Sequence, residues 1–183
     1  MHSLVALFLI TNNLYKREKE MKYSIRTLCE SEYPLLEDFL YEAIFVPDGA
    51  ASPPHEIVYQ PELQIYVENF GKKHGDLAFC AVSDGKIVGA VWGRIMNDYG
   101  HIDDETPSLA ISLYKEYRGH GIGTALMRAI IAEYEKIGYN RLSLSVQKAN
   151  YAVKLYEKVG FKIVSENDEE YIMQVITEKG RTK

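Results

Sequence analysis

The sequence predicts a mixed α/β fold (α+β in its segregation of hairpins and crossovers) built on one central sheet. Three observations predict it. Short runs of alternating apolar residues mark strands, as where Leu142, Leu144 and Val146 alternate with Arg141, Ser143 and Ser145. Apolar stripes at helical spacing separate some of those runs, as at Ile122, Leu126, Ala129, Ile130 and Ile137. Other runs are joined directly by turn residues, as at Ser83-Asp84-Gly85-Lys86. Helical crossovers give parallel neighbours and hairpins give antiparallel ones, so the sheet is expected to be mixed rather than wholly parallel.

The elements follow in order. Tyr23 to Leu28 alternates and reads as a strand. Ser31-Glu32-Tyr33-Pro34 reads as a helix start, with Ser31 as the cap and Leu35, Leu36, Phe39, Leu40 and Ala43 on one face. Val46 to Pro54 is rich in Pro, Gly and Ser and reads as a loop. A second helix is expected from Pro61 to Phe70, stopped by Gly71. Leu77 to Val82 and Ile87 to Ile95 form a hairpin, and Asn97 to Pro107 is a polar, acidic connection. Leu109 to Tyr114 is a strand that runs through a glycine-rich turn, Arg118 to Gly123, into a helix ending at Gly138. A strand over 142–146, a short helix marked by Ala152, Leu155, Tyr156 and Val159, and two strands over 161–165 and 171–176 complete the order.

Composition bounds the function. The chain has 183 residues, 46% hydrophobic and 26% charged, which suits one folded domain. A net charge of -5 without a basic stretch argues against nucleic acid as a partner. Cys29 and Cys80 have no histidines at ligand spacing, so neither a zinc site nor a disulfide framework is expected, and both are read as small core residues in a reducing cytosol. No metal is expected. The apolar run Leu4 to Ile10 is too short to span a bilayer, which takes about 20 residues, and lacks the marks of a signal peptide, so the expected setting is soluble and cytoplasmic, with no membrane partner. Residues 1–20 are expected to be an extension outside the fold, with Met21 as the start, or else a short helix on its surface; 21–183 is the single domain.

The chemistry is concentrated between Leu109 and Phe161. Arg118-Gly119-His120-Gly121-Ile122-Gly123-Thr124 follows a strand and opens a helix. A helix N-terminus offers unpaired N–H groups and partial positive charge, and glycines let the backbone close around phosphate oxygens. Bare glycines are read equally well as a tight turn. The loop lacks the Lys-Ser/Thr pair of a nucleotide-triphosphate loop, and Gly119-x-Gly121-x-Gly123 does not have the rhythm of a dinucleotide fingerprint.

The pattern Arg118-x-x-Gly121-x-Gly123, followed by Asn150-Tyr151-Ala152-Val153-Lys154-Leu155-Tyr156-Glu157-Lys158-Val159-Gly160-Phe161, resembles the GCN5-related N-acetyltransferase (GNAT) family. The resemblance spans 23–176 in element order and is specific from Leu109 to Phe161. It implies a mainly antiparallel central sheet with helices on both faces. It implies acetyl-CoA as co-substrate, held by Arg118, Gly119, His120, Gly121, Ile122, Gly123 and Thr124, with a bulged strand at Leu113 and Tyr114 pairing with the pantetheine arm. Lys115 stands where family members often carry Pro. Tyr156 is implied to protonate the departing thiolate, and Asn150 to contact the cofactor or cap its helix; periodicity alone reads Tyr156 as a core residue.

An ammonium must lose a proton before it attacks a thioester, which at pH 7 costs about 4–5 kcal/mol for a lysine-like amine. A general base is therefore expected. Candidates lie in the acidic connection at Asp98, His101, Asp103, Asp104 and Glu105, with Asp103, Asp104 or Glu105 carried forward; a solvated acidic loop is the plain alternative. Phe45, Tyr59 and Tyr66 are candidate pocket walls, while His55 and His74 read as surface residues. The expected activity is acetyl transfer to a small-molecule or protein amine through a ternary complex. A non-catalytic acyl-CoA sensor with the same fold, and an acyltransferase for longer donors or hydroxyl acceptors, are the rival readings. A homodimer is consistent with the resemblance, though no interface is visible in the sequence.

Overall fold

The computed structural model describes residues 21–47 and 49–178; the expectation for 1–20 lies outside the described residues. Seven strands form one sheet: β1 (Ser24–Thr27), β2 (Leu77–Ser83), β3 (Lys86–Arg94), β4 (Ser108–Leu113), β5 (Arg141–Gln147), β6 (Lys162–Glu166) and β7 (Glu170–Ile176). Their spatial order is β1-β2-β3-β4-β5-β7-β6. Every adjacent pair is antiparallel except β4 and β5. The helices are α1 (Leu35–Ala43), α2 (Pro61–Gln64), α3 (Ile122–Lys136) and α4 (Val153–Lys158). The expected fold class and element order are both present.

The two-residue period of the strands divides the core between the two faces of the sheet. Val91, Leu109 and Leu142 pack with Ile122, Leu126, Ile130 and Tyr134 of α3 on one face. Ala90 and Trp92 pack with Leu36, Phe39 and Leu40 of α1 on the other. The β2–β3 hairpin closes through Asp84 and Gly85, both at positive φ (48° and 76°), the geometry a right-twisted two-residue turn requires.

Four expectations are corrected. The first helix starts at Leu35; Glu30–Glu32 forms a separate 3₁₀ turn because the Glu32 carboxylate accepts the Cys29 N–H (2.9 Å) and pairs with Arg26. Cys29 is thereby held at the surface rather than in the core, whereas Cys80 is buried. The second helix ends at Gln64 instead of Phe70. Arg94 Nη1 donates to the carbonyls of Ile65 (3.2 Å) and Glu68 (2.9 Å), and Asn69 takes a left-handed φ of 52°, so the segment continues as turns while Tyr66, Val67 and Phe70 stay buried. Ile137 lies past the end of α3 and is 47% exposed; Met127 and Tyr134 complete the buried stripe in its place.

One buried ion pair ties this turn segment to the sheet. Arg94 Nε and Nη2 donate to Asp76 Oδ1 (3.1 Å) and Oδ2 (2.9 Å), and both side chains are only 1% exposed. Asp76 also accepts the N–H groups of Gly71 and Lys73. Removing one member of such a pair leaves a buried charge uncompensated. Asp76→Ala is expected to cost about 3–5 kcal/mol of unfolding free energy, read from denaturant midpoints at constant m-value.

The exposed Arg26–Glu32 pair gives a pH signature. The Arg26 hydrogen bonds, then the Cys29 N–H, hold the Glu32 carboxyl down at about 2, against 4.5 for an ordinary glutamate. A depressed carboxylate contributes stability that is fully present above the ordinary value and lost as pH falls through the folded one. The gap in denaturation midpoint between wild type and Glu32→Gln is expected to be open at pH 6 and closed near pH 2.

Candidate functional site

The site arises where β4 and β5 part. Both run the same way, yet they pair at a single position, Ser108 with Ser143, supported by the Ser143 N–H on the Pro107 carbonyl (3.0 Å). Beyond that pair β4 bonds only β3, in unbroken register to Leu113 opposite Gly89. The Tyr114 N–H reaches the Val88 carbonyl (3.1 Å), so by strand alternation the backbone groups of Ile111 and Leu113 point the other way, into the gap. The bulge expected at Leu113 is therefore not in β4; the register shift lies one strand away, between Ala81 and Val82 of β2 against β3. The parted strands open a cleft of about 740 Å³ at their C-terminal ends, where an open α/β sheet characteristically binds its ligand.

The N-terminus of α3 faces this cleft without a cap. Gly121 is its N-cap at φ 81°, with no side-chain hydrogen bond and no acidic residue in the first turn. The first helical bond runs from the Ala125 N–H to the Gly121 carbonyl (3.1 Å), so the N–H groups ahead of it have no helical partner. Gly119 also sits at positive φ (83°). A Cβ on Gly123 would lie 3.2 Å from Leu155 and 3.6 Å from Leu113, so a side chain there would fill the space between α3, α4 and β4. Uncapped N–H groups, partial positive charge and bare backbone together make an anion cradle.

Leu113, Arg118, Gly119, Gly121, Gly123, Thr124, Asn150 and Tyr156 all line the cleft, as do Lys115, Lys154 and Lys158. The sequence reading missed the last two; their four-residue spacing on a helix beside the motif was the available signal. Arg118 is tied back: Nε donates to the Leu113 carbonyl (2.9 Å) and Nη2 to Glu42 Oε2 (3.1 Å). It braces the loop against β4 and the end of α1. The Asn150 side chain accepts the Ala152 N–H (2.9 Å), which starts the turn into α4. Tyr156 is 8% exposed, its ring 6.1 Å from Phe161, and burial, with a smaller effect of Tyr151, pushes its hydroxyl well above the ordinary tyrosine range.

Three of the expected cofactor residues have side chains outside the cleft lining. Tyr114 leans on Phe39 (5.2 Å between rings), Ile122 is buried under the sheet, and His120 is exposed outside the cleft lining. The structure also separates the acidic candidates from Tyr156. Asp103 bonds Arg141 (3.1 Å), and Thr106 and the Glu105 N–H hold its carboxyl below the ordinary range. Asp104 and Glu105 line a hollow of about 310 Å³ beside Gly138 and Arg141, at the far end of α3, a 15-residue helix about 22 Å long. Glu105 faces Arg141 (3.9 Å), and Asp104 faces His101 Nε2 (3.9 Å). Phe45 does line the cleft, Tyr59 is exposed, and Tyr66 donates to Asp98. His55 and His74 stack on Tyr41 and Tyr139. Among the described residues no helix is long and apolar enough to cross a membrane, and no group of three metal-ligating side chains converges.

Solved structures share this architecture. The ribosomal-protein-S18-alanine N-acetyltransferase of Escherichia coli aligns at TM-score 0.59 and 21% identity, over 85% of this chain and 95% of that one. The paia N-acetyltransferase of Thermoplasma acidophilum, solved in complex with coenzyme A, aligns at 0.64 and 20%, over 85% and 99%. By sequence, the chain is 39% identical over 82 residues to the probable N-acetyltransferase camello of Xenopus tropicalis, covering 43% of this chain and 35% of that protein. It is 33% identical over 109 residues to an N-alpha-acetyltransferase of Sulfurisphaera tokodaii, covering 54% and 64%. The chain thus spans less than two thirds of the length of these relatives. Residues 41–161, which include the whole cleft-lining motif from β4 to α4, match the acetyltransferase (GNAT) family, and the chain belongs to it.

Proposed function

We propose that the chain transfers the acetyl group of acetyl-CoA to an amine by direct attack within a ternary complex. The observation that carries this reading is the uncapped, glycine-built N-terminus of α3 opening onto the same cleft as Tyr156. Family membership and the N-acetyltransferase names of the relatives support it. The acceptor is a small-molecule or peptide amine, and the relatives' names leave its identity open.

The residues present fit such a donor. The free N–H groups at the start of α3 bind phosphate oxygens, and Lys115, Lys154 and Lys158 add positive charge around them. The backbone of Ile111 and Leu113 facing the gap accepts an extended amide chain as a further strand would. An N–H on that edge also receives the oxyanion formed when nitrogen attacks the thioester carbon. As the C–S bond breaks, Tyr156 gives its phenolic proton to the sulfur and is reprotonated from solvent. Its raised pKa keeps that proton in place at neutral pH.

A thiol-release assay with acetyl-CoA and a panel of amines and peptides tests the reading. Tyr156→Phe is expected to lower kcat by about 10²–10³-fold with the calorimetric Kd for acetyl-CoA unchanged. Gly121→Val, strained at positive φ, is expected to lose acetyl-CoA binding. Tight binding of acetyl-CoA without turnover of any amine would instead favour the non-catalytic sensor, and absence of binding would overturn both.

A further inference from the structure

The cleft has two unlike walls. On the α3 face it is lined by Leu155 and Tyr156, both packed against the main core. The other wall is built where the chain leaves α1. Ala43, Ile44, Phe45, Val46 and Pro53 line it, with Ser52 and Tyr41 as its uncharged polar members. The Tyr41 hydroxyl donates to the Pro53 carbonyl (2.7 Å), and its ring stacks on His55 (4.7 Å). These contacts tie the two ends of the loop together at the end of α1 and fix the wall.

Ile44, Phe45 and Val46 are half-buried, yet they belong to neither of the two cores. Ligand sites are lined by such apolar side chains, which a bound group covers in place of water. Each methylene fully buried there is worth about fourfold in affinity.

Charge in the cleft points the same way. Lys115, Arg118, Lys154 and Lys158 line it, and among the described lining residues the one carboxylate is Glu42. Glu42 is already engaged, its Oε2 accepting Arg118 Nη2 (3.1 Å). An acceptor with a second ammonium would meet these cations without a free carboxylate, and would lose hydration against an apolar surface. Tyr156 serves the departing sulfur on the α3 face, so the wall left for the body of the acceptor is the apolar one.

We propose that this wall receives the group that carries the acceptor nitrogen, so that the substrate is a primary amine on an uncharged aliphatic or aromatic body, an assignment that rests on the acetyl-transfer reading. The nitrogen reaches the thioester while its body packs on Ile44, Phe45 and Val46. The chemistry is the same for a free amine and for a peptide whose N-terminal residue is apolar.

Thiol-release assays with acetyl-CoA and a series of n-alkylamines test this. From ethylamine to n-hexylamine, kcat/KM is expected to rise about two- to fourfold per methylene. n-Pentylamine and 1,4-diaminobutane have the same number of heavy atoms, and the second ammonium is expected to cost about tenfold or more. Phe-Ala-Ala-amide is likewise expected to exceed Lys-Ala-Ala-amide, and its rate beside that of 2-phenylethylamine separates a peptide from a free amine as the source. Phe45→Ala is expected to flatten the chain-length slope and Phe45→Leu to keep most of it, with the calorimetric Kd for acetyl-CoA unchanged in both. The wild-type series decides the question alone if Phe45→Ala does not fold. A flat series, a preference for 1,4-diaminobutane, or faster transfer from hexanoyl-CoA than from acetyl-CoA to every amine would overturn the assignment. Loss of acetyl-CoA affinity in Phe45→Ala with the slope intact would overturn it too. Calorimetry of n-hexylammonium against ethylammonium on the CoA-bound protein reads the wall without turnover. Tighter binding of the longer amine with no transfer would leave the wall standing while the acetyl-transfer reading falls. Transfer with a flat series would do the reverse.

Discussion

The single residue pair that joins β4 to β5 is the constraint on which the site depends. Two parallel strands that stayed paired would satisfy each other's backbone and close the sheet. Here they meet only at Ser108 and Ser143, and everything beyond is exposed edge. An open edge in the middle of a sheet is costly unless something pairs with it. The same parting brings the N-terminus of α3 and the body of α4 to the rim of one cleft, because the chain leaves β4 for α3 and leaves β5 for α4. An unpaired strand edge and an uncapped helix start at one rim are two results of one break in pairing.

The cleft is held at the right width from both faces of the sheet. On the α3 face, Leu113 and Ile122 sit in the main core, so the first turn of the helix cannot move without disturbing the packing under it. On the α1 face, the Ser112 hydroxyl donates to the Phe39 carbonyl (2.6 Å), and Arg118 links the Leu113 carbonyl to Glu42. Arg118 of the glycine-rich turn thus acts as a brace between β4 and the end of α1. The loop that follows α1 supplies Phe45 to the cleft wall.

Positive charge gathers at the open end of the gap, where Lys115, Lys154 and Lys158 line the cleft beside the positive end of α3. Tyr156 lies in the buried wall of the same cleft, where burial pushes its hydroxyl above the ordinary tyrosine range.

Much of this was legible in the sequence because it rests on local spacing. Alternation located the strands, the Asp84-Gly85 turn required its own backbone angles, and the glycines of 119–123 marked the cradle. Where Arg94 captures the carbonyls of Ile65 and Glu68, a long-range contact ended a helix that local pattern extends to Phe70. The same applies to the acidic connection: Asp98 and Asp103 are five residues apart in one polar stretch, yet one bonds Tyr66 and Ser108 while the other pairs with Arg141. By itself the sequence determined the order of the elements and the glycine-rich turn into α3, since these depend on neighbours within a few turns of chain. Only the tertiary structure decided where β4 parts from β5, that Arg118 bonds Leu113 and Glu42, and that Asp98 bonds Tyr66 and Ser108 while Asp103 bonds Arg141, because each depends on groups that folding alone brings together.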